Sequence, residues 1–397
     1  MGTIISLGIG KFEIDWGKNN YFQSHCNLFQ QNDFKKIPYY YFDGVEEKMG
    51  YSAPIAKIKK RLDLLGFNLE KCKKEYCQRV EFEDINDYYH VLTFDEFYTL
   101  FTKIDIDEIN VITEENDCDF DLGEYVREKI FESKEIKKQL PFQYKSLSYE
   151  WYENLAPEII LRVLCENPTV QDKDLTWYVA DVLEDNYITE EDIKPKLDRE
   201  EKFLLVTEGS SDTNIIKLAF NYLFPEVSDF FDFIDMTNNY PFGGTGQLCN
   251  FAKGLNKINV MNKILVIFDN DAAGLEKYDE CIKSCSDLSN LKFYHLPDLE
   301  EFNEVLTVGP GGESKENING KAVAIENYLD YEYKIEERIK VRWKNYVEKT
   351  GTYHGAIENK EKISKIFFNN YQNPDYNLSK LKFLLEDIIK FCCVSEW

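Results

Sequence analysis

The segment 203–296 constrains the fold more than any other part of the chain. Short apolar runs at 203–207, 230–236, 264–268 and 291–296 read as strands, and 215–222, 247–255 and 273–282 read as the helices between them. Unbroken apolar runs are what strands buried on both faces require. Strands and helices alternating at this spacing imply right-handed crossovers and a parallel sheet. In such sheets the chemistry lies beyond the carboxyl ends of the strands.

Acidic residues stand at those ends. The first run leads into Thr207-Glu208-Gly209-Ser210-Ser211-Asp212, and the third into Asp269-Asn270-Asp271-Ala272-Ala273-Gly274. After the second run comes Gly243-Gly244-Thr245-Gly246, whose backbone N–H groups suit a phosphate. Carboxylates gathered at one sheet edge cannot all stay ionised without a cation, so Mg²⁺ or Mn²⁺ on hard oxygen ligands is expected. Asp269 and Asp271, two apart on extended chain, can face one side and share an ion. Gly274 allows the backbone a close approach.

A glutamate after strand one, glycines after strand two and a DxD after strand three together resemble the Toprim domain of topoisomerases, primases, small RNA-maturing nucleases and OLD-family nucleases. The resemblance covers 201–330 and implies Glu208, Asp269 and Asp271 as catalytic metal-binding residues, with Asp212 as a second acidic group four positions after Glu208. Farther on, Gly320-Lys321-Ala322-Val323-Ala324-Ile325-Glu326-Asn327-Tyr328-Leu329 is similar to the GKxxxIExYL segment of defence-associated Toprim proteins. That similarity implies Glu326 as a further metal ligand and Lys321 as a phosphate contact, beside Gly244 and Gly246. Read by periodicity alone, the same segment is an amphipathic helix whose glutamate faces water. At the amino terminus, Gly8-x-Gly10 followed by Asp15-Trp16-Gly17-Lys18-Asn19-Asn20 resembles the HEPN/Toprim-associated domain. The residues by themselves read there as a strand and turn with Trp16 in the core. HEPN catalysis is excluded, because none of the four histidines follows an arginine at the required four to six residues.

The expected architecture is α/β: a Toprim Rossmann-like parallel sheet flanked by helices, a mixed α/β N-terminal domain, and helical linker and C-terminal segments. The expected domains are 1–140, a helical linker at 141–200, the Toprim domain at 201–330 and a helical region at 331–397. Strand runs at 4–9, 11–14, 39–42 and 88–93 and an amphipathic helix at 56–69 make up the first; 159–164 and 177–182 are read as helical.

The net charge of −25 opposes nucleic-acid binding, so a nuclease must find compensating cations. Metal ions supply part. The stretch 331–365 carries nine Lys and Arg against six Glu, interleaved with Tyr331, Tyr333, Trp343 and Tyr346, and reads as a backbone-tracking surface or a solvated helix. Ten irregularly spaced cysteines are expected as free thiols of a cytoplasmic protein without a zinc ribbon. No apolar run reaches membrane-span length. Met1-Gly2 through Ser6 matches a myristoylation pattern but is better read as a strand. Asp117, Asp119, Asp121 and Glu128 have calcium-loop spacing with the glycine one place late, at Gly123.

The mechanism expected from the resemblance is hydrolysis of RNA or DNA with two ions, one on Glu208, Asp269 and Asp271, the other near Asp212 and Glu326. Such an effector of anti-phage defence, through abortive infection, would answer to an ATPase or sensor protein or a phage trigger, and self-association is compatible with it. The length leaves little room for a topoisomerase gate, and no P-loop is present. The rival readings are a non-catalytic Toprim adaptor in a defence complex and a primase/topoisomerase-like Toprim protein.

Overall fold

The computed structural model describes residues 2–41, 44–84, 91–108, 148–234, 245–257, 262–285, 290–336, 338–347, 351–395 and 397. They fall into two compact units, Met1–Leu197 and Asp198–Trp397.

In the first unit β1 (Ile4–Ile9), β2 (Phe12–Lys18), β3 (Phe34–Tyr41), β4 (Gly44–Pro54) and β5 (Asp174–Tyr178) form one sheet in the order β2-β1-β5-β4-β3. Every pairing is antiparallel. The turn from β1 to β2 explains the amino-terminal glycines: Gly10 sits at φ +61°, and a Cβ on Gly8 would meet the Phe12 carbonyl oxygen at 2.5 Å. Helices α1 (Ile55–Leu65), α2 (Leu69–Asp84), α3 (Phe94–Phe101) and α4 (Pro157–Leu164) complete the core with the sheet. Trp177 of β5 lies in that core, stacked on Phe29 at 6.3 Å.

Three expectations change here. Trp16 is 51% exposed rather than in the core, because the register of β2 against β1 shifts at Ile14, which breaks the alternation of Phe12 and Ile14 and gives the next inward position to Gly17. The described part of the expected helical linker at 141–200, from 148 on, does not stand apart as one: α4 is a helix, but Leu175 and Trp177 alternate with period two in a strand between β1 and β4. The calcium-like loop and residues 88–90 of the run at 88–93 lie outside the described residues, and 91–93 form no strand.

In the second unit β6 (Phe203–Val206), β7 (Phe231–Phe233), β8 (Lys263–Phe268) and β10 (Leu291–His295) pair in parallel in the order β10-β8-β6-β7. Helices α5 (Ser210–Leu223), α6 (Thr245–Lys257) and α7 (Ala272–Ser284) follow the strands as the alternation predicts. Alternate residues of β8 serve the two faces: Ile264, Val266 and Phe268 pack with Leu248 and Ala252 of α6 and Cys281 of α7. On β6 and β10, Phe203 and Tyr294 meet aromatic partners at the chain's end: Trp397 at 5.2 Å and, on α9 (Ser379–Val394), Phe391 at 5.3 Å.

A short β9 (Asn270–Asp271) pairs antiparallel with β13 (Ala322–Val323). A second sheet, β12 (Gly312–Glu316), β11 (Val305–Gly309), β14 (Val341–Val347) and β15 (Thr352–Ile357), follows in that order. Residues 331–365 are therefore no continuous helix; the β-branched and aromatic positions of 341–357 pair as a hairpin, and helix begins only at α8 (Lys360–Asn370). The expectation of ten free thiols is also corrected, since the sulfurs of Cys249 on α6 and Cys281 on α7 meet, with Cα atoms 6.1 Å apart. Among the described residues no helix is long and apolar enough to cross a membrane.

Candidate active site

The site is built at the carboxyl ends of β6 and β8. After β6 the chain turns into α5 through Thr207–Gly209, a turn fixed by hydroxyls: the Thr207 and Thr213 Oγ1 atoms lie 2.7 Å apart, and both donate to the Gly209 carbonyl. Glu208 and, one helical turn on, Asp212 are thereby held at the start of α5. After β8 the backbone stays extended through Asp269-Asn270-Asp271. Its alternation turns Asn270 inward, 1% exposed, where it donates to Asp298 Oδ1 at 2.6 Å and accepts from the Gly320 N–H at 3.0 Å. Asp269 and Asp271 are left for the outer side.

Two contacts lock the carboxylates to backbone. The Asp269 N–H donates to Glu208 Oε1 at 3.1 Å, and the Gly274 N–H donates to Asp271 Oδ1 at 2.7 Å, capping α7. A Cβ on Gly274 would stand 2.2 Å from the Asp269 carbonyl oxygen, so only glycine fits where α7 meets this loop.

The segment 320–329 joins the site through the β9–β13 pairing, and Asp271 bridges to Lys321 by backbone. It is not an amphipathic helix with a solvated glutamate. Residues 325–328 form one 3₁₀ turn, and Glu326 is buried at 5% exposure. The apolar neighbours Ile325, Tyr328 and Leu329 are buried as well, so the turn has no solvated side.

Electrostatics show these groups to be mutually close. Burial, then the charges of Asp271 and Asp212, pushes Glu208 up to about 7. Burial and then the charge of Glu326 pushes Asp212 up to about 7. Asp269 lies well above the usual carboxylate range through burial and the charges of Asp212 and Glu208. Burial and neighbouring charge thus disfavour ionisation of Glu208, Asp212 and Asp269, with Asp271 adding its charge to Glu208 and Asp269 and Glu326 its charge to Asp212.

Two residues that sequence reading left out of the site complete it. Lys360, first residue of α8, places Nζ 3.3 Å from Glu326 Oε2. Burial alone would lower its pKa, but Glu326, Asp269 and Asp212 outweigh that and raise it. His354 of β15 brings Nδ1 to 3.8 Å from Asp271 Oδ2. The position of Lys360 in the basic stretch was a signal for it; nothing local marked His354.

Gly246 lies in the first turn of α6 with open space about it, and Gly244 falls outside the described residues. Lys321 contributes its backbone to the site, while its charge acts on Glu316.

The donor set suits a hard divalent ion in kind: carboxylate oxygens, crowded and undercompensated, with Glu208 and Asp271 each spending one oxygen on a backbone N–H. Among the described residues no three His, Cys, Asp or Glu side chains stand close enough to form a finished cage.

In the amino-terminal unit Asp15 Oδ2 of β2 accepts from His25 Nε2 at 2.8 Å, and His25 is buried against Trp177. This is the region where a comparison decides the family. HEPN/Toprim N-terminal domain 1 matches residues 1–201, half of the chain. The protein belongs to the HEPN/Toprim N-terminal domain family. The match runs four residues past the first unit, so it covers every strand of this chain's sheet β2-β1-β5-β4-β3, β5 included. No curated protein and no solved structure matches the chain.

Proposed function

We propose that the unit 198–397 is a Toprim-type, metal-dependent nuclease of the OLD-like kind. The observation that carries this reading is the gathering of Glu208, Asp212, Asp269 and Asp271 at adjacent strand ends, with Glu326 beside them. Burial, and then their charges on one another, raise three of their pKa values together. A purely structural cluster would replace some of these groups with neutral ones, because each one destabilises the others.

Glu208, Asp269 and Asp271 would hold one Mg²⁺ or Mn²⁺, and Asp212 with Glu326 a second. When bound, such ions supply an activated water and neutralise the leaving oxygen. The chain's own residues do the rest. The Asp269 N–H fixes the Glu208 carboxylate, and Asn270 fixes the DxD backbone from behind. Lys360 brings a fixed ammonium to the carboxylates, where it would face the scissile phosphate. His354 stands beside Asp271, able to orient it or to accept a proton from water. The amino-terminal family carries HEPN and Toprim in its name, in keeping with a nuclease-associated chain; on this proposal it would act as an anti-phage effector with an ATPase or sensor protein or on a phage trigger.

The absence of a finished cage among the described residues favours a second reading, a Toprim adaptor that assembles a complex without catalysis. One experiment separates them. Purified protein is incubated with Mg²⁺ or Mn²⁺ and plasmid, single-stranded DNA or tRNA, beside Glu208→Gln and Asp269→Asn. Cleavage by the wild type alone supports the nuclease and names the substrate. Equal cleavage by all three proteins assigns the activity elsewhere. No cleavage by any, with a candidate partner protein added, leaves the adaptor.

A further inference from the structure

We infer that a cleft along α8 seats the phosphodiester backbone of the strand to be cut, without regard to base sequence. This rests on the nuclease reading and adds where the substrate lies. The cleft measures about 710 Å³ and is lined by Lys360, Lys362, Lys365, Asn369 and Asn370, with Glu361 as its one carboxylate. Lys362, Lys365 and Asn369 follow at i, i+3 and i+7, so they share one helix face. The opposite face buries Ile363 and Phe367. At one end Lys360 belongs both to the cleft and, through Glu326 Oε2, to the carboxylate cluster. Nearby, Ser364 of α8 lies 3.4 Å from Ser211, the residue before Asp212. The cleft therefore opens onto the proposed chemistry.

The structure also sorts the cations of the 331–365 stretch. Lys340 pairs with Glu313 of β12, and Arg342 with Glu358 at 2.7 Å, so the charge of these two is already matched by carboxylates away from the cleft. Lys334 turns to the cleft rim, donating to Asn370 Oδ1 at 3.0 Å. Lys362 and Lys365 are exposed, with no ion pair among the described residues. On a protein of net charge −25, a local run of ammonium and amide groups is where a polyanion can lie. Groups of this kind bind phosphate oxygens and position a strand; they do not read base edges.

The test is the double variant Lys362→Glu/Lys365→Glu, beside the neutral Lys362→Gln/Lys365→Gln. Binding of labelled single-stranded RNA and DNA oligonucleotides of two unrelated sequences is followed by fluorescence anisotropy across a salt series. Ca²⁺ replaces Mg²⁺ so that the strand stays whole. We expect the neutral variant to bind at least tenfold more weakly at low salt, whatever the sequence. Its slope of log K against log salt should be shallower by about 1.4, two single-strand phosphate contacts at about 0.7 each. The charge reversal should weaken binding further, with thermal melts of both variants unchanged. Wild-type affinity and slope in the neutral variant, with wild-type cleavage rates, overturn the cleft and leave the nuclease standing. A wild type that neither binds nor cleaves any nucleic acid removes both.

Discussion

The loop carrying Asp269 and Asp271 is held from both sides by residues that do no chemistry themselves. Gly274 leaves no room for a methyl group, since its Cβ would fall 2.2 Å from the Asp269 carbonyl oxygen. Gly274→Ala must push that carbonyl and its carboxylate aside. A displacement of this order at a reacting centre lowers turnover about 100-fold, and the strain should destabilise by about 1–3 kcal/mol. Activity and thermal melts measured together check this; a Gly274→Ala protein of full activity would show that the loop adapts. Behind the loop, Asn270→Ala strands the Gly320 N–H and Asp298, which costs about 1–3 kcal/mol in a denaturant melt. The carboxylates predict a pH response. Glu208 and Asp212 have folded-state pKa values raised to about 7, so between their ordinary range and 7 the folded state binds more protons than the unfolded one. Their contribution to stability is present at low pH and lost as pH rises through about 7. In a chelator the melting temperature should therefore fall between pH 5.5 and 8, and less so in Glu208→Gln and Asp212→Asn. Mg²⁺ should restore it at pH 8 and do little at pH 5.5; a flat profile, or equal Mg²⁺ effects at both pH values, counts against the cluster as described. Glu208 and Asp269 are legible in the sequence because each follows directly on an apolar run, whereas Asp212 and Glu326 rest on the resemblance alone.

At the scale of elements, the site depends on the hairpin β14–β15 as much as on the parallel sheet. The Gly355 N–H donates to the Lys321 carbonyl at 3.3 Å, which docks β15 against the β9–β13 pair. A side chain there would meet Trp343 at 2.7 Å and Ala322 at 3.1 Å. Gly355→Val should lift β15 away, taking His354 from Asp271, and lower cleavage about 100-fold. The melting temperature should fall only a few degrees, as for strain of about 1–3 kcal/mol in a unit of this size. His354→Gln, which keeps the hairpin, should fall between that variant and the wild type; activity unchanged in both would remove the hairpin from the site. Such an arrangement could not be read from the chain. His354 and Lys360 lie more than 80 residues beyond the DxD motif, and no local pattern reports which loop a hairpin will touch. β5 is illegible for the same reason: its partners β1 and β4 lie more than a hundred residues earlier, and the spacing of Trp177, Val179 and Val182 by itself reads as helical. The parallel strands were legible because burial on both faces writes itself into every residue of a run such as 264–268.

At the scale of the whole molecule, each unit owns a complete sheet. The strands of β2-β1-β5-β4-β3 all come from Met1–Leu197, and those of β10-β8-β6-β7 from Asp198–Trp397. The buried cluster around Trp177 runs from Ile5 to Ile193, and the cluster around β8 from Val206 to Phe293, with no residue in common. The chain passes from one to the other through Lys194-Pro195-Lys196-Leu197-Asp198, where proline and charge take the place of apolar periodicity. A core of this size, closed within its own segment, is what independent folding requires. The fragment 198–397, expressed alone, should therefore melt in a single cooperative transition by circular dichroism. All the carboxylates of the site, together with Lys360 and His354, lie within it. It should also keep the Mg²⁺-dependent rise in melting temperature at pH 8, a rise that Glu208→Gln removes. The fragment 1–197 should melt cooperatively too, with no response to Mg²⁺. A folded 198–397 fragment without the Mg²⁺ response would mean that the family's N-terminal unit completes the site, and an unfolded one would mean that the division into two units is not one of stability.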